Sequence, residues 1–203
     1  MEQVELVTEL MREAKDKCLA IMQGNHEFKL SSRNIIDVDK TIAKALGQHV
    51  RAPGFTMIGK MPGFKLFFTH GSRNTNHTAG DRQQRENNES IWVKKYLRDL
   101  QGDCLVMGMG HGHKQRVRPP LYELSIIEKD GEEKQSYPKM MVSPDGVIHE
   151  DCRWYFMTGA LRKLRVSGIT TYSEMAGYRP TELGMIKLLV RDNMPVSCEK
   201  VIV

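Results

Sequence analysis

The start of the chain combines apolar positions at helical spacing with a short continuous apolar run. Between residues 2 and 18, apolar side chains recur every three or four positions with charges between them, which predicts an amphipathic helix. The apolar run 19–22 follows and stops at Gly24. We therefore predict a helix that leads into a strand, with residues 25–27 at the carboxyl end of that strand.

Two more helices are predicted from the same spacing. One covers 37–46 and ends at Gly47, and the other covers 82–100, with Asp81 as its N-cap. The apolar anchors of the second helix are expected to be Ile91, Trp92, Tyr96 and Leu100.

β-favouring segments account for most of the remaining chain. Residues 54–60 and 64–69, separated by Met-Pro-Gly, predict a hairpin that ends at His70, and 104–107 predict a buried strand. After residue 120 the pattern becomes mostly antiparallel, with strands predicted over 121–128, 135–142, 147–150, 153–157, 185–190 and 196–203 and a short helix over 171–176. These elements together predict an α/β fold, a two-sheet sandwich flanked by helices.

Length and composition limit the class of protein. At 203 residues, 40% of them apolar and 27% charged, the chain is typical of one globular domain. No apolar run approaches the roughly 18 residues that cross a bilayer, so no membrane partner is expected. The four cysteines lie far apart in the sequence, which favours a reducing compartment, and we expect a cytoplasmic protein.

The net charge of +5 is unevenly spread, with two basic clusters: Lys114, Arg116 and Arg118, then Arg162, Lys163 and Arg165. Such residues are commonly a solvated surface without further function. They can also attract a phosphate-bearing substrate or nucleic acid. Both interpretations stay open on the sequence alone.

Three short motifs place metal-ligating side chains next to glycine, each after an apolar run: Gly24-Asn25-His26-Glu27, Thr69-His70-Gly71 and Gly110-His111-Gly112-His113. Imidazole and carboxamide groups suit first-row cations such as Zn²⁺, Mn²⁺ or Fe. In an extended segment, residues two apart point to the same side, so His111 and His113 could face one site. Because ligands at strand ends converge at one edge of an α/β sheet, the three motifs together predict a metal site.

The order and spacing of these motifs resemble the calcineurin-like metallophosphoesterases, whose third, fourth and fifth signatures they match. The tail is also similar to the end of phage and archaeal members, in the segments Thr158-Gly159-Ala160-Leu161, Tyr172-Ser173-Glu174 and Ala176-Gly177-Tyr178. The resemblance covers most of the chain and implies a single phosphoesterase domain over residues 1–203.

The resemblance also implies a role for each matching residue. Asn25, His70 and His111 would bind one metal of a dinuclear centre of Mn, Fe or Zn, and His113 would bind the other. His26 would be the catalytic histidine beside the scissile phosphate. Water would attack phosphorus in line, with the metals stabilising the attacking and leaving oxygens.

Two signatures of the family, Asp-x-His and Gly-Asp-x-x-Asp, should precede Gly24. Only 23 residues precede it here, and none of them is histidine. We therefore expect that the chain is N-terminally incomplete and lacks two strand–helix units with most of the first metal's ligands.

The leading hypothesis is a metal-dependent phosphoesterase that hydrolyses phosphate mono- or diesters, with nucleic acid among its candidate substrates. Arg73, in the loop after His70, is expected to contact the substrate, because its guanidinium fork matches phosphate oxygens. The alternative is a catalytically inactive phosphoesterase-like module that binds nucleic acid or a protein partner.

Overall fold

The computed structural model describes residues 2–72, 79–137, 141–161, 167–168, 170–175, 177 and 181–203. In this part of the chain the helices are α1 (Glu2–Arg12), α2 (Asn25–Ser31), α3 (Val38–Leu46), α4 (Arg82–Leu97) and α5 (Tyr172–Met175). The strands are β1 (Thr56–Met61), β2 (Phe64–Thr69), β3 (Val106–Met109), β4 (Arg116–Arg118), β5 (Ser125–Lys129), β6 (Glu132–Ser136), β7 (Trp154–Met157), β8 (Gly184–Arg191) and β9 (Met194–Ile202). The protein is mixed α/β, as predicted.

Five strands form one mixed sheet in the order β1-β2-β3-β7-β4, and β5–β6 and β8–β9 are separate two-stranded hairpins. β3 is buried along its whole length and runs parallel to β7, while β4 pairs with β7 antiparallel. The prediction that the second half is mostly antiparallel is confirmed for β4–β7, β5–β6 and β8–β9, and the pairing of β7 with β3 is a parallel exception. The apolar residues of β7 enter the interior of the sheet beside β3, where a strand covered on both faces is commonly parallel.

The chain divides into two compact units. The first comprises the described residues up to Ile58 together with 68–72, and the second comprises 59–67 with the described residues from 79 onwards. The core of the first unit is formed by Ile42, Ala43 and Leu46 of α3 with Val50. The core of the second is formed by Phe67, Val93, Leu97, Cys104, Met107, Met109, Tyr155 and Met157.

Several predicted elements are confirmed. α3 ends at Leu46, with Gly47 at its C-cap. Asp81 is the N-cap of α4, and its side chain accepts a hydrogen bond from the backbone N–H of Gln84 at 2.8 Å. The β8–β9 hairpin lies where the final two strands are predicted.

The strand predicted over 19–22 is wrong, and so is the predicted extent of the first helix. α1 ends at Arg12, and in the following segment only one isolated bridge is recorded, a parallel pairing of Ala20 with Arg51. α2 then begins at Asn25. The Gly-Asn-His-Glu motif therefore lies at the start of a helix rather than at the end of a strand.

Two predicted anchors of α4 are wrong. Ile91 and Leu100 are exposed, and the helix ends at Leu97. The buried stripe instead runs through Glu89, Val93 and Leu97, which are four positions apart and so share one helix face. Because one of these three buried residues is Glu89, apolar spacing alone does not identify the buried face of α4.

Candidate metal site

Two of the predicted metal ligands, Asn25 and His70, are in contact in the first unit. Asn25 is the first residue of α2, and His70 directly follows β2, with its backbone N–H donating to the carbonyl of Phe55 at 2.9 Å. The Nε2 atom of His70 lies 3.1 Å from Oδ1 of Asn25. Because a carboxamide oxygen only accepts, His70 donates its Nε2–H to this oxygen. Side chains from two separate motifs are thus brought together; we call them the Asn25–His70 pair.

Gly24 provides the space that this pair needs. It is the N-cap of α2, and its backbone N–H donates to Oε2 of Glu27 at 3.1 Å. A Cβ added at Gly24 would lie 2.5 Å from that oxygen and 3.0 Å from Cε1 of His70. Any larger residue would displace either the imidazole or the carboxylate, so the glycine and the glutamate of the motif support the Asn25–His70 pair.

Packing also orients the imidazole of His70. The ring of Phe55 meets it edge-on with the ring centroids 6.0 Å apart, and Phe28 packs against Phe55 in the same manner at 5.5 Å. The backbone turns immediately after His70, where Gly71 has a φ of 80° and its N–H donates to Oγ1 of Thr69 at 3.2 Å. Phe55 therefore packs against the imidazole of His70, and the turn at Gly71 fixes the backbone next to it.

His26, the predicted catalytic histidine, is the second residue of α2 and is exposed, whereas its neighbour Asn25 is half-buried. The first turn of this short helix therefore carries one half-buried carboxamide and one imidazole in contact with solvent. A substrate that arrives from solvent can reach such an imidazole.

His111 and His113 lie in the second unit, in the loop that follows β3. Both have a left-handed backbone, with φ of 64° and 52°. The prediction of an extended segment, with both imidazoles on the same side, is therefore wrong. Left-handed residues other than glycine are uncommon, and they concentrate at functional sites where the surrounding structure imposes the strain. Between them, Gly112 donates its N–H to the carbonyl of Gly110 at 2.7 Å.

The first predicted basic cluster is largely a set of internal ion pairs. Arg116 is only 6% exposed, and its guanidinium donates to Glu89 at 2.6 Å and to Glu182 at 2.8 Å. Lys114 also pairs with Glu89. We call Glu89, Lys114, Arg116 and Glu182 the buried ion-pair cluster.

The cluster corrects both interpretations of Lys114 and Arg116, which are neither a solvated surface nor an open cationic field. Burial disfavours the charge of Arg116, but its hydrogen bonds with Glu182 and Glu89 outweigh that effect and raise its pKa above the ordinary value. Glu89 and Glu182 are absent from the predicted site, because no local sequence pattern marks two glutamates as partners of one arginine.

Some predicted residues lie outside the described part of the chain. They include Arg73, the predicted substrate contact, and Arg162, Lys163 and Arg165 of the second basic cluster. Ala176 and Tyr178 of the tail also lie outside it. The tail segments 158–161 and 172–174 are described: Ala160 forms a parallel bridge with Leu183, and 172–174 belong to α5.

The Asn25–His70 pair would fit a divalent cation in donor type and spacing once Nε2 of His70 has lost its proton, because an imidazole nitrogen binds a metal only through a free lone pair. For metal–ligand bonds of about 2.1 Å, two donor atoms 3.1 Å apart subtend an angle of about 95° at the cation, close to that between neighbouring octahedral positions. Within the described ranges, no group of three or more His, Cys, Asp or Glu side chains is arranged to hold a metal ion. A cation at this pair would take further ligands besides Asn25 and His70.

Comparisons with known proteins give a distant structural resemblance. No protein family matches the sequence, and no curated protein matches it. A crystal structure of wild-type Vps29 complexed with Zn²⁺ from Entamoeba histolytica is similar at a TM-score of 0.31 and 13% identity, over 81% of this chain and 74% of that one. This is a distant resemblance that does not establish a family. Among the described helices, none is long and apolar enough to cross a membrane.

Proposed function

We propose that this chain is a single calcineurin-like phosphoesterase domain, with the two-sheet sandwich of that family, and that it hydrolyses phosphate mono- or diesters with divalent metal ions. In this proposal Asn25, His70, His111 and His113 are metal ligands of a dinuclear centre, and His26 is the catalytic histidine. Mn²⁺, Fe or Zn²⁺ suits this mixture of imidazole and carboxamide donors.

One observation carries the proposal: the contact of Asn25 with His70 beside a glycine that leaves no room for a side chain. The two residues come from different motifs, 45 positions apart. A carboxamide oxygen and an imidazole nitrogen in contact have the donor types and the separation of two ligands of one cation. The exposed position of His26 next to this pair supports its assignment to the substrate side.

The division of labour follows from the chemistry of each group. Bound divalent metal ions supply an activated water and stabilise negative charge on the phosphate. Asn25 and His70 hold and orient one ion. His26 transfers a proton to the leaving oxygen, or stabilises the charge that develops on it. Arg73 contacts the phosphate oxygens through its guanidinium fork.

The test combines hydrolysis of an aryl phosphate monoester and diester in the presence of Mn²⁺ with calorimetric titration of Mn²⁺. We expect His26→Ala to lower kcat by about 100-fold or more while Mn²⁺ affinity stays unchanged. Asn25→Ala and His70→Ala should weaken Mn²⁺ binding. His49→Ala is the matched control, because this imidazole is exposed and its Nε2 contacts the backbone carbonyl of Lys15 at 2.7 Å, outside the proposed site.

The outcomes separate the hypotheses. If the wild-type chain binds neither Mn²⁺ nor Zn²⁺, or if His49→Ala loses as much activity as His26→Ala, the proposal is wrong. Metal binding without hydrolysis, combined with tight binding of nucleic acid, would instead support the non-catalytic module.

A further inference from the structure

The left-handed backbone at His111 and His113 needs an external restraint. Two residues with positive φ within three positions are unfavourable in a free loop, so the surrounding structure must compensate. Hydrogen bonds to the backbone of this loop would restrain φ and ψ directly.

Glu182 contacts this loop through both its backbone and its side chain. Its N–H donates to the carbonyl of His113 at 3.1 Å, and its Oε2 accepts from the backbone N–H of Gln115 at 2.7 Å. The same carboxylate accepts from Nη1 of Arg116 at 2.8 and 2.9 Å. One residue therefore fixes a backbone acceptor, a backbone donor and a buried cation within four consecutive positions.

Glu182 is itself held in place. Its carbonyl accepts from the N–H of Ala160 at 2.9 Å, and a Cβ added at Gly159 would lie 2.5 Å from that carbonyl oxygen. The buried side chain of Gln115 donates to the carbonyls of Met185 and Val201, both at 2.8 Å. The loop after β3 and the start of the β8–β9 hairpin are thus joined by hydrogen bonds in both directions.

Glu89, the other carboxylate of the cluster, makes a different set of contacts. It accepts from the side chains of Lys114 and Arg116. None of the hydrogen bonds recorded for Glu89 in the described residues involves the backbone of residues 110–116. Glu89 balances charge, whereas Glu182 also sets backbone geometry.

We propose that Glu182 is a positioning residue that holds the backbone of His111 and His113 in the conformation used for metal binding. The link to metal rests on the function proposed above. Residues that hold a metal ligand in place commonly change metal affinity by about 10- to 100-fold when they are replaced. We expect a loss of this size for Glu182→Ala.

The experiment compares Glu182→Ala and Glu182→Gln with a matched control, Glu150→Gln. Glu150 resembles Glu182, since their side chains are 33% and 34% exposed and each pairs with an arginine, at 2.7 and 2.8 Å. The arginine that Glu150 pairs with is Arg98, at the end of α4. Each variant is measured by Mn²⁺ calorimetry and by hydrogen exchange of the peptide that covers residues 108–117.

We expect Glu182→Ala to raise the Mn²⁺ dissociation constant by about 10-fold or more and to speed exchange in this peptide by about 10-fold. Glu182→Gln should recover part of both losses, because its amide oxygen can still accept from Gln115. Glu150→Gln should change neither.

Unchanged exchange in Glu182→Ala would overturn the positioning role, and so would equal effects of Glu150→Gln. Faster exchange with unchanged Mn²⁺ affinity would also overturn it, because the loop geometry would then not serve metal binding. A wild-type chain that binds no Mn²⁺ refutes the proposed function, and exchange in residues 108–117 then decides by itself whether Glu182 holds the loop.

Discussion

The Asn25–His70 pair and the buried ion-pair cluster each support motif histidines, but by different forces. The pair is held by a hydrogen bond of 3.1 Å, by the edge of Phe55 and by close packing against Gly24. In the cluster, two carboxylates face two cations, and Arg116 is almost completely buried. The first arrangement depends on shape and the second on charge balance.

This difference predicts which kind of substitution destabilises each region. A larger side chain destabilises the closely packed Asn25–His70 pair, because neighbouring atoms must move. A buried ion-pair cluster fails when one charge is removed, because the remaining charge has lost both water and partner. The two regions can therefore be broken separately, by substitutions that leave the other intact.

The largest effect is expected for Glu89→Gln. This change leaves Lys114 and Arg116 facing one carboxylate instead of two, so we expect a loss of about 3 kcal/mol in the free energy of unfolding, measured by urea denaturation. Glu86→Gln on the same helix is the control. Glu86 pairs with Lys200 at 3.3 Å nearer the surface, and its loss should cost at most about 1 kcal/mol. Equal losses in the two variants would contradict the role of burial in the cluster.

A smaller effect is expected for Gly24→Ala. The added methyl group would press on Glu27 and His70, whose side chains can shift, so we expect a loss of about 2 kcal/mol and weaker Mn²⁺ binding. Gly80→Ala is the control, because a Cβ there has no atom within 4 Å and Gly80 does not have a left-handed φ. The free energy of unfolding and the Mn²⁺ affinity of the two variants are measured by denaturation and by calorimetry. Unchanged Mn²⁺ affinity in Gly24→Ala would separate the packing at Gly24 from the proposed metal site.

Local signals predict a good part of these regions. Apolar spacing and capping residues locate α3, the start of α4 and the β1–β2 hairpin, and the latter leads to His70. α2 is absent from the predictions, although a signal is present: Gly24 precedes Asn25 as an N-cap, and Glu27 stands at the third helical position of a capping box.

The cluster offered no comparable signal. Arg116 meets Glu89 and Glu182 across 27 and 66 positions. A glutamate in a polar helix such as α4 looks like a surface residue until the fold places it inside. The charge of a side chain does not indicate which partner the fold will place beside it. The sequence therefore predicts the three histidine motifs but not the contacts that restrain the loop of His111 and His113.

The smallest effect concerns Asp103, an aspartate outside both regions, and tests charge pairing without deep burial. Hydrogen bonds from Gln101 and from Lys65, at 2.7 and 2.5 Å, lower the pKa of Asp103 from 3.8 to about 2. The unfolded chain therefore binds more protons at this group between these two values, so the stabilisation is complete above pH 3.8 and disappears as the pH falls to about 2.

Asp103→Asn should be less stable than wild type at neutral pH, and the difference in unfolding free energy should shrink across this window. Lys65→Met keeps Gln101 as a donor and should remove only part of the pH dependence. A wild-type advantage that stays constant down to about pH 2 would show that Asp103 contributes shape rather than charge, as Gly24 does.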